Sequence, residues 1–175
     1  MGQNFMNPLA ERVTSQLQKI VGAKLIDVEL FCFEYEADVS AIELPTFYFG
    51  GEVILKFDNE RAIITWDENA GWQDHFSLYV GCNHLYLPSS TLITWNVSQF
   101  RPWLNCIDQS LISAQVYGYN QTPHIVEFNF ENTTIYIGDG REMEFGDGDD
   151  IIVTTNRFFN NDSEWNKMWG TSIPE

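Results

Sequence analysis

The stretch LIDVELFCFEY, residues 25–35, returns in outline as LISAQVYGY, residues 111–119, at an offset of 86 residues. In the first, apolar Ile26, Val28 and Leu30 alternate with Asp27 and Glu29; in the second, Ile112, Ala114 and Val116 alternate with Ser113 and Gln115. A period of two sends one set to the core face of a strand and the other to its outer face. Both runs then turn their outer face aromatic, with Phe31, Phe33 and Tyr35 in the first and Tyr117 and Tyr119 in the second.

The likeness extends outward from these strands. VILKFDNERAIITW (53–66) aligns with VEFNFENTTIYIGD (126–139) at an offset of 73, so that Val53, Leu55 and Phe57 fall on Val126, Phe128 and Phe130. The polar pairs Asp58-Asn59 and Glu131-Asn132 coincide, and each marks a hairpin with a short Asx turn. The same register reaches LYV (78–80) and IIV (151–153), where a fourth strand is expected. Only six of the 28 positions from 53 to 80 are identical, so the reading rests on element order, alternation and ungapped register. A helix precedes each set of strands. Asn7 reads as an N-cap and Pro8 as the first helical residue, with Leu9, Val13, Leu17 and Ile20/Val21 on one stripe and Gly22 as the stop. The second helix is expected to begin near Ser98, tolerate Pro102 in its first turn, and carry Phe100, Trp103, Leu104 and Ile107 on one stripe.

The predicted architecture is an α+β domain of two tandem helix-plus-four-strand repeats, antiparallel in their sheets and with two main helices. Pseudo-repeat 1 spans 7–81 and pseudo-repeat 2 spans 98–155, within a single domain over 1–175 that ends in an aromatic tail, 156–175. Residues 36–48 lengthen one strand connection of the first repeat only, and 82–97 link the repeats. The tail, with Trp165 and Trp169, is expected to pack on the body through a short helix from about residue 162.

Composition bounds what such a domain does. A formal charge of −16 argues against nucleic acid and against an anionic membrane surface, since both need a basic footprint. Apolar residues make up 44% of the 175, enough for a packed core without staples. Three cysteines without paired spacing, and an N-terminus with no basic-then-apolar leader, point to a cytoplasmic protein with reduced thiols.

The acidic run GDGREMEFGDGDD, residues 138–150, asks whether it binds a cation. Counted from Asp139, an EF-hand loop would need oxygen ligands at its third and fifth positions, where Arg141 and Met143 stand. It aligns with DENAGWQDHFS, residues 67–77, so both are strand connections carrying solvated carboxylates. Cys82, His84, His75 and His124 do not show converging zinc spacing, and no nucleophile elbow, phosphate loop or HExxH motif appears. No catalytic residue, cofactor or metal is therefore assigned.

The sequence reading is a non-enzymatic module that binds a basic protein, in the manner of an immunity or antitoxin-like inhibitor. Its contact residues are expected to be Asp139, Glu142, Glu144, Asp147, Asp149 and Asp150, with Phe31, Phe33, Tyr35, Tyr117 and Tyr119 as aromatic anchors. The alternative is a small-ligand or divalent-cation-binding domain that uses the 67–77 and 138–150 loops.

Overall fold

The computed structural model describes residues 8–72, 75–85, 91–119, 122–139, 150–157 and 166–172. Helix α1 (Pro8–Ile20) begins at the expected proline and is followed by β1 (Leu25–Phe33). A short turn of helix, α2 (Val39–Ile42), leads to β2 (Thr46–Phe49), β3 (Gly51–Phe57), β4 (Arg61–Trp72), β5 (His75–Gly81) and β6 (Leu92–Asn96). Then come β7 (Leu111–Tyr119), β8 (Thr122–Phe130), β9 (Thr134–Asp139), β10 (Ile151–Thr154) and β11 (Asn166–Ser172).

The strands form two antiparallel sheets, ordered β5-β4-β3-β1-β6 and β11-β7-β8-β9-β10-β2. Their inner faces share one core: Val28, Leu30, Val53, Leu55 and Ile64 from the first sheet meet Val116, Val126, Phe128, Ile137 and Val153 from the second. Val13, Leu17 and Ile20 of α1 join it, as their helical spacing requires.

Each sheet contains a four-strand meander whose first strand is flanked by a later, returning strand: β6 beside β1, β11 beside β7. Trp95 sits opposite Leu30 in one sheet and Trp169 opposite Val116 in the other. Where the two first strands begin, Lys24 and Ser110 bridge, and the bonds around them come in matched pairs. Leu25 N–H donates to Gln109 O at 3.0 Å and Leu111 N–H to Ala23 O at 2.9 Å; Gly22 N–H donates to Leu111 O and Asp108 N–H to Leu25 O, both at 2.8 Å. Gly22 and Asp108, the residues that reverse the chain here, both hold positive φ, at 90° and 63°. These pairs lie at the 86-residue offset of the sequence alignment.

Four expectations change. No second main helix forms between Ser98 and Ile107, where a 3₁₀ turn covers Trp103–Asn105. Pro102 supplies no N–H and disfavours helical geometry before it, while the Ser98 hydroxyl accepts from Val28 N–H at 2.8 Å instead of capping a helix. Trp103 and Cys106 are nevertheless buried in the core, and Leu104 is exposed. Within the tail, residues 166–172 form a strand along β7, with a register shift between Lys167 and Trp169, while 158–165, where the short helix is expected to start, lie outside the described residues. The 82–97 link contains β6.

The fourth change concerns Ile26 and Ile112, which are 52% and 38% exposed and face water, while Leu25 and Leu111 are buried. A register shift between Leu25 and Asp27, repeated between Leu111 and Ser113, reverses the alternation for one residue. No described helix is long and apolar enough to cross a membrane.

Candidate functional site

The strand registers bring one set of strand ends together. Cys32 pairs with Gly51, Ile151 with both Phe49 and Asp139, Leu92 with Phe33, and Tyr119 with Thr122. The C-terminal ends of β1, β2, β7 and β9 and the N-terminal end of β10 therefore crowd one end of the sandwich. β4 and β5 are joined at the same end, since β4 runs from Arg61 antiparallel to β3. The expected 67–77 loop is mostly strand, since β4 reaches Trp72 and β5 starts at His75, and this hairpin lies at the same end. β9 ends and β10 begins here too, while residues 140–149 between them lie outside the described residues.

β2 is what unites the halves here. It leaves the first half and adds itself to the edge of the second sheet beside β10, with Thr46 and Thr154 hydroxyls 2.7 Å apart. Between β1 and α2 the chain makes one 3₁₀ turn, Glu34–Glu36. The Glu36 carboxylate fixes that turn by accepting from Phe33 N–H at 3.1 Å and Gly50 N–H at 2.8 Å. Tyr35 is thereby held outward, 81% exposed, with one ring face stacked on Phe33 at 5.5 Å between centroids and 12° between planes. Glu34 and Asp38 are exposed beside it, and no Lys or Arg occurs between Lys24 and Lys56.

The remaining expected contact residues divide sharply. Asp150, at the start of β10, is partly buried and close enough to Tyr48 that its carboxylate adds to burial in raising that phenol. Asp139 ends β9, and its side chain, like that of Tyr119, is not among those described. Glu142, Glu144, Asp147 and Asp149 lie outside the described residues.

Phe31 and Tyr117 point away from the core, as the alternation requires, yet each is only 8% exposed. His84 covers Phe31, ring edge to face at 5.4 Å, above an outer cluster with Ile54 and Ile63. The imidazole is fastened by Glu52, a fully buried carboxylate that bonds His84 Nδ1 at 2.5 Å and accepts from Leu85 N–H at 2.7 Å. A buried carboxylate is tolerable only with such partners. On the other sheet the Arg157 guanidinium lies 5.5 Å from the Tyr117 ring centre. The Tyr117 hydroxyl lies 3.1 Å from a Glu127 carboxylate oxygen and 2.9 Å from the Gln115 amide oxygen, which share its one proton. Sequence alternation could assign these aromatic residues to the outer face but not show what covers them.

Burial first, then the Glu127 carboxylate, push the Tyr117 phenol up to about 12 from 10.0. Its folded value exceeds its unfolded one, so the stability it contributes is complete below pH 10 and is lost as pH rises through about 12. Tyrosinate absorbance of the native protein is expected to show a late step near pH 12 that Tyr117→Phe removes. Ionisation of Tyr117 together with exposed tyrosines near pH 10 would contradict the placement.

No protein family, curated protein or solved structure matches this chain. Among the described residues, no three His, Cys, Asp or Glu side chains come together as a metal site. Cys82, His84 and His124 serve elsewhere: His84 on Glu52, His124 buried in β8, Cys82 partly exposed with its carbonyl accepting from Arg61 Nε at 2.9 Å. A groove of about 370 Å³ lies at the opposite end, between Glu43–Pro45, Arg101, Asn105, Thr133 and Thr155. No sequence signal marked it, because four segments far apart in the chain supply its walls.

Proposed function

We propose that the chain is an acidic protein-binding module, of the immunity- or antitoxin-like kind, which engages a basic protein through the end of the sandwich that carries Phe33 and Tyr35. The observation behind this reading is Tyr35 itself: a large aromatic ring, 81% exposed and braced on Phe33, in a stretch without cations at the end where the 138–150 loop begins and ends. An exposed aromatic group rimmed by carboxylates has the make-up of an interface anchor. Three cysteines without disulfides suit a reducing compartment, and we place the module in the cytoplasm.

We also infer that the two sheets descend from a tandem duplication of one helix-and-strand unit. The strand orders, which match once β2 is set aside, the matched bonds about Lys24 and Ser110, and the paired bulges support it. Residues 34–49, from the Tyr35 turn to β2, then stand out as an addition to one half, and added segments on a conserved scaffold are where new binding arises.

The two parts of the surface separate kinetically. Neutralising Asp139, Glu142, Glu144, Asp147, Asp149 and Asp150 together to amides is expected to slow association with the partner roughly 10- to 100-fold, with the unfolding midpoint unchanged. Tyr35→Ala is expected to speed dissociation by about 10-fold or more. The partner is found by affinity capture at low salt with wild type and the amide variant side by side, and the rates are read by surface plasmon resonance. Absence of any protein held by wild type and released by the variant would sink the reading.

A further inference from the structure

Tyr35 offers only one ring face, because Phe33 takes the other. The Glu36 carboxylate, bonded to two backbone N–H groups, holds the turn so that this face is set before any partner arrives. A cationic group suits this turn, since Glu34 and Asp38 are its exposed carboxylates and the nearest basic residues in sequence on either side are Lys24 and Lys56. It must also be flat to use the whole face. A guanidinium is both, being planar, weakly hydrated and able to stack while its edge N–H groups reach carboxylates; an ammonium is a compact, strongly hydrated point charge. The chain already makes this contact once. Arg157 lies over Tyr117, whose hydroxyl is bonded to the Glu127 carboxylate.

We infer that the partner's anchoring group is an arginine whose guanidinium stacks on the open face of Tyr35 and pairs at its edge with Glu34. This rests on the protein-binding reading above and names the chemistry that the site recognises. A basic surface of lysines would meet the same charge but leave the ring face unused.

The probes are blocked tetra-arginine and tetra-lysine peptides, titrated separately into the full chain with the Tyr35 ring resonances followed by NMR. The arginine peptide is expected to shift those resonances and to saturate at roughly 2- to 5-fold lower concentration than the lysine peptide. Tyr35→Leu, which keeps an apolar side chain and is followed through the Phe33 ring resonances recorded for both proteins, should erase that preference while leaving the backbone spectrum folded. Equal response to both peptides overturns the inference, as does an arginine peptide that shifts only residues elsewhere; in both cases acidic protein binding itself stands. If neither peptide shifts any resonance at low salt, the protein-binding reading falls with it.

Discussion

Trp103→Ala should lower the free energy of unfolding by about 3–5 kcal/mol, the range for removing an aromatic side chain from a packed core. Trp103 is fully buried, although it sits on a 3₁₀ turn of three residues with little backbone structure of its own. Its ring belongs to the same core cluster as Leu17 of α1. Deleting it loses the transfer energy of the ring and leaves a cavity that a short turn between β6 and β7 cannot fill by itself. Trp103→Phe is expected to cost only about 1 kcal/mol, because it keeps most of the volume and removes an indole N–H that donates to no described atom. Urea unfolding of both variants checks this. An alanine variant within about 1 kcal/mol of wild type would show that the turn does not seal the core.

Gly51→Ala should destabilise by about 3 kcal/mol, at the upper end for overpacking, since the obstruction is backbone. A β-carbon at 51 would overlap the Phe31 carbonyl oxygen and stand 3.1 Å from Cys32 Cα, so β1 and β3 would have to part where they pair. The displaced end of β1 is the one that carries Phe33, and partner binding should weaken along with stability. Gly50→Ala is the control. Its β-carbon would meet Glu36 Oε1 at 3.5 Å, an ordinary contact, and it is expected to change stability by no more than about 0.5 kcal/mol. Thermal unfolding and partner affinity measured on both variants separate the two. Equal melting temperatures would refute the close approach of β1 and β3.

The sequence disclosed whatever depended on local periodicity. The alternation in 25–35 and 111–119, and the hairpins at Asp58-Asn59 and Glu131-Asn132, became strands and turns because side-chain period is a property of the backbone itself. Ile26 and Ile112 were misplaced because a bulge inserts no distinctive residue; it reveals itself only against a partner strand. The place of β2 was hidden for a related reason. TFYF carries the pattern of a strand, but its pairing with β10 is settled by contacts across 108 positions, which no window of sequence contains. Among the expected contact residues, Tyr35 is exposed and stacks on a half-buried Phe33, whereas Phe31 and Tyr117 are roofed by His84 and Arg157. Those roofing residues lie 53 and 40 positions away in the chain.

The route of β2 also sets an order of events. A contact between Thr46 and Thr154 closes a far longer loop than any hairpin in the chain, so its entropic cost falls late, after the meanders have formed. A strand of four residues returns little for that cost. β2 is therefore the last strand of the second sheet to dock and the first to leave it, and a partner that grips the Tyr35 end, where Phe49 of β2 pairs with Ile151, would act as the final clasp on the fold.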